Sequence, residues 1–250
     1  MKNESPEAQL LNPSNKPSGV LLINKTKGKT SFSLVSALRR LCDVQKIGHA
    51  GTLDPFATGV MILLVGKEFT RLSDRFLNQD KEYIATLHLG IRTDSYDSEG
   101  QTISQSDLIP SEESIKLAIS KFQGPILQVP PMFSAKKING KKLYELARKG
   151  IEIPRAPVPV TVDIQYLSYN YPFLMLNVSC SKGTYIRSLG EDIGLELGCG
   201  AHLSDLSRTR CGTFHLSECL DGSLLSDPKT LSTLQFIPLS QLNLSASPKE

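Results

Sequence analysis

A chain of 250 residues with 40% hydrophobic and 21% charged residues has ordinary globular composition, enough for a sizeable core in one large domain or one domain with a small appendage. No apolar run approaches the roughly 20 residues of a membrane span, and the polar N-terminus lacks a signal-peptide core, so a cytoplasmic protein is expected. The net charge is only +3, tryptophan is absent and aromatics are 6%, which argues against an extended base-stacking surface.

Residues 1–18 hold Pro6, Pro13 and Pro17 among polar residues and are expected to be a disordered lead. Gly19 to Asn24 (GVLLIN) is predicted as a buried strand, and Lys25 to Lys29 as a basic turn. Thr30 or Ser31 can cap a helix with Leu34, Val35, Leu38, Leu41 and Cys42 on its apolar face. Lys46 to Val65 then places one carboxylate, Asp54, on a tight polar turn ahead of the β-branched run Val60 to Val65, a predicted buried strand. Gly48, Gly51 and Gly59 give this turn conformational freedom, and Pro55 fixes φ directly after the acid.

A short amphipathic helix is predicted from Gly66 to about Leu77, a half-buried strand over Glu82 to Leu89, and a polar loop over Arg92 to Gly100. Pro110-Ser111 opens a helix bearing Ile115, Ile119 and Phe122, closed by Gly124-Pro125. Gln128 to Lys142 (QVPPMFSAKKINGKK) reads as a projecting basic hairpin or loop with an Asn-Gly turn, followed by a short helix from Leu143 to Lys149 stopped by Gly150. Val160 to Tyr169 and Phe173 to Ser181 alternate like an antiparallel pair. A helix carrying Ile186, Leu189, Ile193 and Leu197 follows, ended by Gly198 and Gly200, and then a strand within His202 to Phe214. The remainder has weak helical signals broken by Pro228 and Pro238. Hairpin strands interrupted by helices predict an α+β fold, its central sheet mixed and mostly antiparallel and flanked by helices and loops.

Charge is gathered into patches. Between Ser134 and Arg155 seven basic residues, among them Lys136, Lys137, Lys141 and Lys142, face two acidic ones, and a second excess lies between Lys16 and Lys46. Basic patches on a near-neutral chain point to a polyanion. Five cysteines without a CxxC pair suit reduced thiols, and although Cys199 and His202 have ligand-like spacing no second pair completes a zinc site, so no metal is expected. Arg187 falls in the first turn of its helix, where the macrodipole disfavours a cation, so an anion is expected nearby, either Asp54 or an RNA phosphate.

The thirteen-residue string Gly48 to Val60 (GHAGTLDPFATGV) and the segment Ser181 to Leu189 (SKGTYIRSL) resemble the catalytic motifs of the TruB-type tRNA pseudouridine synthases. The resemblance runs from about Gly19 to Phe214 and implies the pseudouridine synthase fold over residues 19–245, with residues 126–157 as an RNA-gripping thumb loop. It implies Asp54 as the essential acid, Arg187 as its charge partner, and Tyr83 as a ring packed against the target uracil. His49 would fill the space of the flipped base. Lys25, Tyr185 and Leu206 would border the pocket, Asp97 would contact the arginine, and the lysines 136, 137, 141 and 142 would bind phosphate. The chain past Phe214 is too short for a full C-terminal PUA domain as well.

The implied activity is isomerisation of uridine to pseudouridine at position 55 in the T-arm of tRNA, by a monomer without cofactor or protein partner. This agrees with the absence of a P-loop or dinucleotide motif. A tRNA-remodelling protein of the same fold without chemistry is the alternative. A glycosidase is a weaker one, since no second acid accompanies Asp54.

Overall fold

The computed structural model describes residues 16–134, 136–138 and 140–242, so most of the expected lead and residues 243–245 lie outside the described residues. The chain forms two compact units, one comprising residues up to Leu77 with those from Thr213 onward, the other Asn78–Gly212.

In the first unit β1 (Gly19–Lys25) runs antiparallel to β3 (Thr58–Val65), in register from Gly19 opposite Val65 to Lys25 opposite Gly59. The continuous apolar run of β3 leaves Gly59 to Val65 buried, as a strand covered on both faces requires. Between them lie α1 (Ser31–Cys42) and β2 (Ile47–Ala50), the latter paired with β3 from Ile47 opposite Val65 to Ala50 opposite Ile62. Thr30 caps α1, its hydroxyl accepting from Ser33 N at 3.1 Å, and Leu34, Val35 and Leu38 face the core.

The expected helix to Leu77 is two short pieces, α2 (Lys67–Thr70) and α3 (Ser73–Leu77), burying Phe69 and Phe76. A two-residue strand, Leu220–Asp221, runs parallel to β1, and the weak helical signals after it resolve into 3-10 turns such as Gly222–Ser226 and Pro228–Thr233.

The second unit is built on β4 (Lys81–Leu89), whose residues alternate strictly between buried and half-buried. β5 (Ile91–Thr93) and β6 (Thr102–Gln105) form a hairpin across the stretch 92–100 expected to be loop, and β6 is exposed throughout. α4 (Glu112–Ser120) is capped by Ser111. Gly124-Pro125, expected only to stop α4, opens a strand, β7 (Gly124–Gln128). A hairpin forms here, β8 (Lys137–Ile138) against β9 (Lys141–Lys142), and α5 (Leu143–Ala147) follows.

β10 (Val158–Asn170), β11 (Phe173–Cys180), α6 (Ile186–Glu196) and β12 (Ala201–Cys211) complete this unit. Its strand order is β12-β4-β11-β10-β7, every neighbouring pair antiparallel. α6 buries more than an apolar stripe, for Arg187, Ser188 and Glu191 are also withdrawn from water. Among the described residues all five cysteines are free, and burial pushes the Cys42 and Cys180 thiols up to about 11.

Candidate active site

The Asp54 turn is fastened by the segment that joins β1 to α1. Ser31, the first residue of α1, donates its hydroxyl to Leu53 O at 3.1 Å and accepts from Leu53 N at 3.0 Å. Gly28 N donates to Pro55 O at 2.8 Å. Lys25 is fully buried, and its ammonium donates to Pro55 O at 3.1 Å, Lys29 O at 2.7 Å and Thr26 O at 3.2 Å. The backbone on both sides of Asp54 is therefore fixed, Phe56 and Ala57 are buried beyond it, and Asp54 itself is half-buried. Of the three glycines, Gly51 (φ 84°) and Gly59 (φ 107°) occupy the left-handed region; Gly48 is ordinary strand in β2. His49, also on β2, lies opposite Leu63 and is half-buried.

In the second unit Arg187, 5% exposed, faces the carboxylate of Asp97, the contact that the family resemblance implied. Nη1 lies 3.5 Å from Asp97 Oδ2 and donates to Ser95 O at 3.0 Å, and Nη2 donates to Phe133 O at 2.7 Å. Asp97, 4% exposed, is oriented by its other oxygen, which accepts from Ser95 Oγ at 2.6 Å and Glu99 N at 3.0 Å. The loop carrying it is held to β12 by Leu203 N donating to Tyr96 O at 3.0 Å. Asp94, Ser95, Asp97, Glu99, Gln101 and Phe133 line a cavity of about 190 Å³ beside this pair. Tyr185 caps α6 in an extended conformation and is half-buried.

Tyr83 stands in the middle of the same sheet, opposite Val178 on β11 and Arg208 on β12. Burial pushes its phenol up to about 12, the charge of Arg208 and then a hydrogen bond with it acting the other way. Leu206, 5% exposed, is opposite Ala85, one step along the same face from Arg208. In the basic hairpin Lys137 pairs with Lys142 and Ile138 with Lys141; Lys136 is half-buried and Lys141 exposed. Its root is closed by Leu143 N donating to Lys136 O and Tyr144 N to Ser134 O.

Cys199 Sγ and His202 Nδ1 are bonded to the carbonyls of Gly200 and Ile91, and no group of three metal-ligating side chains forms among the described residues. Three contributors were not anticipated: Ser31, read as a capping alternative; Gln128, read as part of a loop; and Arg208, 1% exposed. The Arg208 signal was a cation at a buried position of an alternating strand.

Comparison with known proteins agrees with these motifs. The family described as "TruB family pseudouridylate synthase (N terminal domain)" matches residues 39–186, and "tRNA pseudouridylate synthase B C-terminal domain" matches residues 187–231. Proteins named tRNA pseudouridine synthase B are similar at 65% identity in Protochlamydia amoebophila (82% of this chain, 78% of the relative), 57% in Chlamydia abortus (84% and 89%) and 46% in Desulfotalea psychrophila (81% and 85%). Among solved structures, a Cbf5-Nop10-Gar1 complex is similar at 30% identity with a TM-score of 0.67, over 92% of this chain and 62% of that one. An H/ACA RNP bound to a substrate RNA containing 2'-deoxyuridine gives 27% and 0.63, over 92% and 61%. The fold is that of the pseudouridine synthases. Within that class the chain belongs to the TruB family.

Proposed function

We propose that this protein isomerises uridine to pseudouridine in tRNA, at position 55 of the T-arm, with Asp54 as the catalytic carboxylate. The observation that carries the proposal is the Asp54 turn: its flanking carbonyls and amides are fixed by Ser31, Gly28 and Lys25 while the acid stays half-buried. A carboxylate held so on a rigid turn loses little freedom on meeting its substrate. It lies within residues 39–186, the stretch that matches the TruB family model.

The reaction breaks the N1–C1′ bond, turns the uracil and rejoins it through C5, so no atom is gained or lost and the stoichiometry calls for no redox partner. Attack at C1′, addition at C6 and removal of a sugar proton all start from the same ionised Asp54. The base must leave its stack, at a cost of about a few kcal/mol that is smaller in a loop than in a duplex. Phosphate contacts from Lys136, Lys137, Lys141 and Lys142 offset that cost.

Tyr83 is assigned to the uracil face, with Leu206 and Tyr185 bordering it and His49 filling the place that the base vacates. Lys25 serves through the turn that it fastens, and Asp97 through Arg187, which it orients. The enzyme is assigned to the cytoplasm, as a monomer.

The deciding test is Asp54→Asn on a T-arm transcript. Pseudouridine formation is expected to fall at least about 10³-fold with the dissociation constant for tRNA within about twofold. Activity that survives with binding intact would leave a tRNA-remodelling protein as the better description.

A further inference from the structure

We propose that Gln128 is a positioning residue for this reaction, setting Tyr185 and through it Arg187; the proposal rests on the reading above. Gln128 ends β7 with its side chain fully buried. Its carboxamide engages both backbone groups of one residue: Nε2 donates to Tyr185 O at 3.1 Å, and Tyr185 N donates to Oε1 at 2.7 Å. This is the pattern of a cross-strand backbone pair, made here by a side chain. Tyr185 is the N-cap of α6, and its own side chain makes no capping bond. Tyr185 O also accepts the first bond of α6, from Leu189 N at 3.1 Å, and the two bonds from Gln128 add to it from outside the helix.

A second stitch lies beside the first, for Ser188 Oγ donates to Val129 O at 3.0 Å. A third is Arg187 itself, donating to Phe133 O at 2.7 Å. The segment from Gln128 to Phe133, stiffened by Pro130 and Pro131, is thus pinned to the first turn of α6 at both ends. Gln128 holds the end that Arg187 does not. Losing it would let the Tyr185 peptide shift, and a shift of about 1 Å at a charged group of an active site costs on the order of 100-fold in rate.

The test uses Gln128→Leu and Gln128→Glu in the full chain. Leu removes both bonds. Glu keeps the shape but, when ionised, sets an oxygen against Tyr185 O, whereas its protonated form donates to that carbonyl as the amide does. With tRNA, Gln128→Leu is expected to lower kcat about 10- to 100-fold with the dissociation constant within about twofold. In Gln128→Glu the ratio of kcat to that of the wild type is expected to rise as pH falls from 8.5 to 6, since burial among carbonyls raises a carboxyl pKa.

A merely structural role would lower the melting temperature and leave that ratio flat. Undiminished kcat in a folded Gln128→Leu overturns the proposal, and if that variant does not fold, a flat ratio in Gln128→Glu does so. A wild type that makes no pseudouridine overturns the proposed reaction instead. Positioning is then read from hydrogen exchange of the amides from Tyr185 to Leu189, expected to quicken about tenfold in Gln128→Glu at pH 8.5 relative to the wild type. Unchanged exchange there overturns it.

Discussion

Lys25 and Arg187 are both cations withdrawn from water, and they are satisfied by different chemistry. The Lys25 ammonium donates to the carbonyls of Thr26, Lys29 and Pro55. Arg187 spreads a planar fork over carbonyls from two separate segments, Ser95 and Phe133, and also faces the carboxylate of Asp97. Carbonyl dipoles satisfy donors, and a carboxylate adds charge neutralisation to that. Lys25 therefore behaves as a fastening for one turn, and Arg187 as the junction of a loop, a strap and a helix.

The comparison breaks most sharply at Lys25. In Lys25→Met the carbonyls of Thr26, Lys29 and Pro55 lose a donor in a fully buried place, with an expected loss of about 3 kcal/mol or more in urea unfolding. Pseudouridine formation should fall with it, because Pro55 adjoins Asp54. An unfolding midpoint equal to that of the wild type would mean that the turn holds without its ammonium, and that Gly28 and Ser31 suffice.

Asp97→Asn tests the other half. Asparagine retains an oxygen to accept from Ser95 Oγ and Glu99 N, so the loop keeps its local bonds and only the charge facing Arg187 is lost. The expected cost is about 2 kcal/mol, below that of Lys25→Met because the Ser95 and Phe133 carbonyls still serve the guanidinium. A larger loss than at Lys25 would reverse the ranking and make charge neutralisation the stronger term. Less stability with kcat unchanged would limit the Asp97 contact to structure.

These two sites were not equally legible in the sequence. The Asp54 turn could be read because its determinants are local: glycines that need φ > 0, a proline after the acid, and an apolar run behind it. The need of Arg187 for an anion followed from its place in a helix first turn, but the chemistry of its carbonyl partners did not, since Ser95 and Phe133 are distant in sequence and contribute only backbone.

The same reason hid β6 and β7. The residues of β6 are all exposed, so no buried face marks the strand, and β7 begins with a Gly-Pro that reads as a helix stop. Pro125 is tolerated because β7 is an edge strand, paired among the described residues with β10 alone. Gln128, glutamine at a strand end, has no local signature for a side chain that copies a backbone pair.

α6 supplies the smallest and most specific measurement, because it also carries an acid for which burial wins over solvation. Burial, and then the charge of Glu191, pushes the Asp192 carboxyl up to about 6 from 3.8. Glu191 itself has a cation, accepting from Arg92 Nε at 2.8 Å.

For an acid whose pKa is higher folded than unfolded, the folded state binds the proton more tightly. This group's contribution to stability is therefore most favourable below about pH 4, declines as pH rises to about 6, and stays at its lowest above that. The full shift would correspond to about 3 kcal/mol, but the side chain is partly solvated, and about 1 kcal/mol is the expected effect. Asp192→Asn should accordingly raise the melting temperature by about 2–4 °C at pH 7.5 and leave it unchanged at pH 4. A difference that does not vary between those two pH values would mean that Asp192 is well solvated. Arg187 and Glu191 would then be the charged residues of this helix that folding withdraws from water at a cost their surroundings must offset.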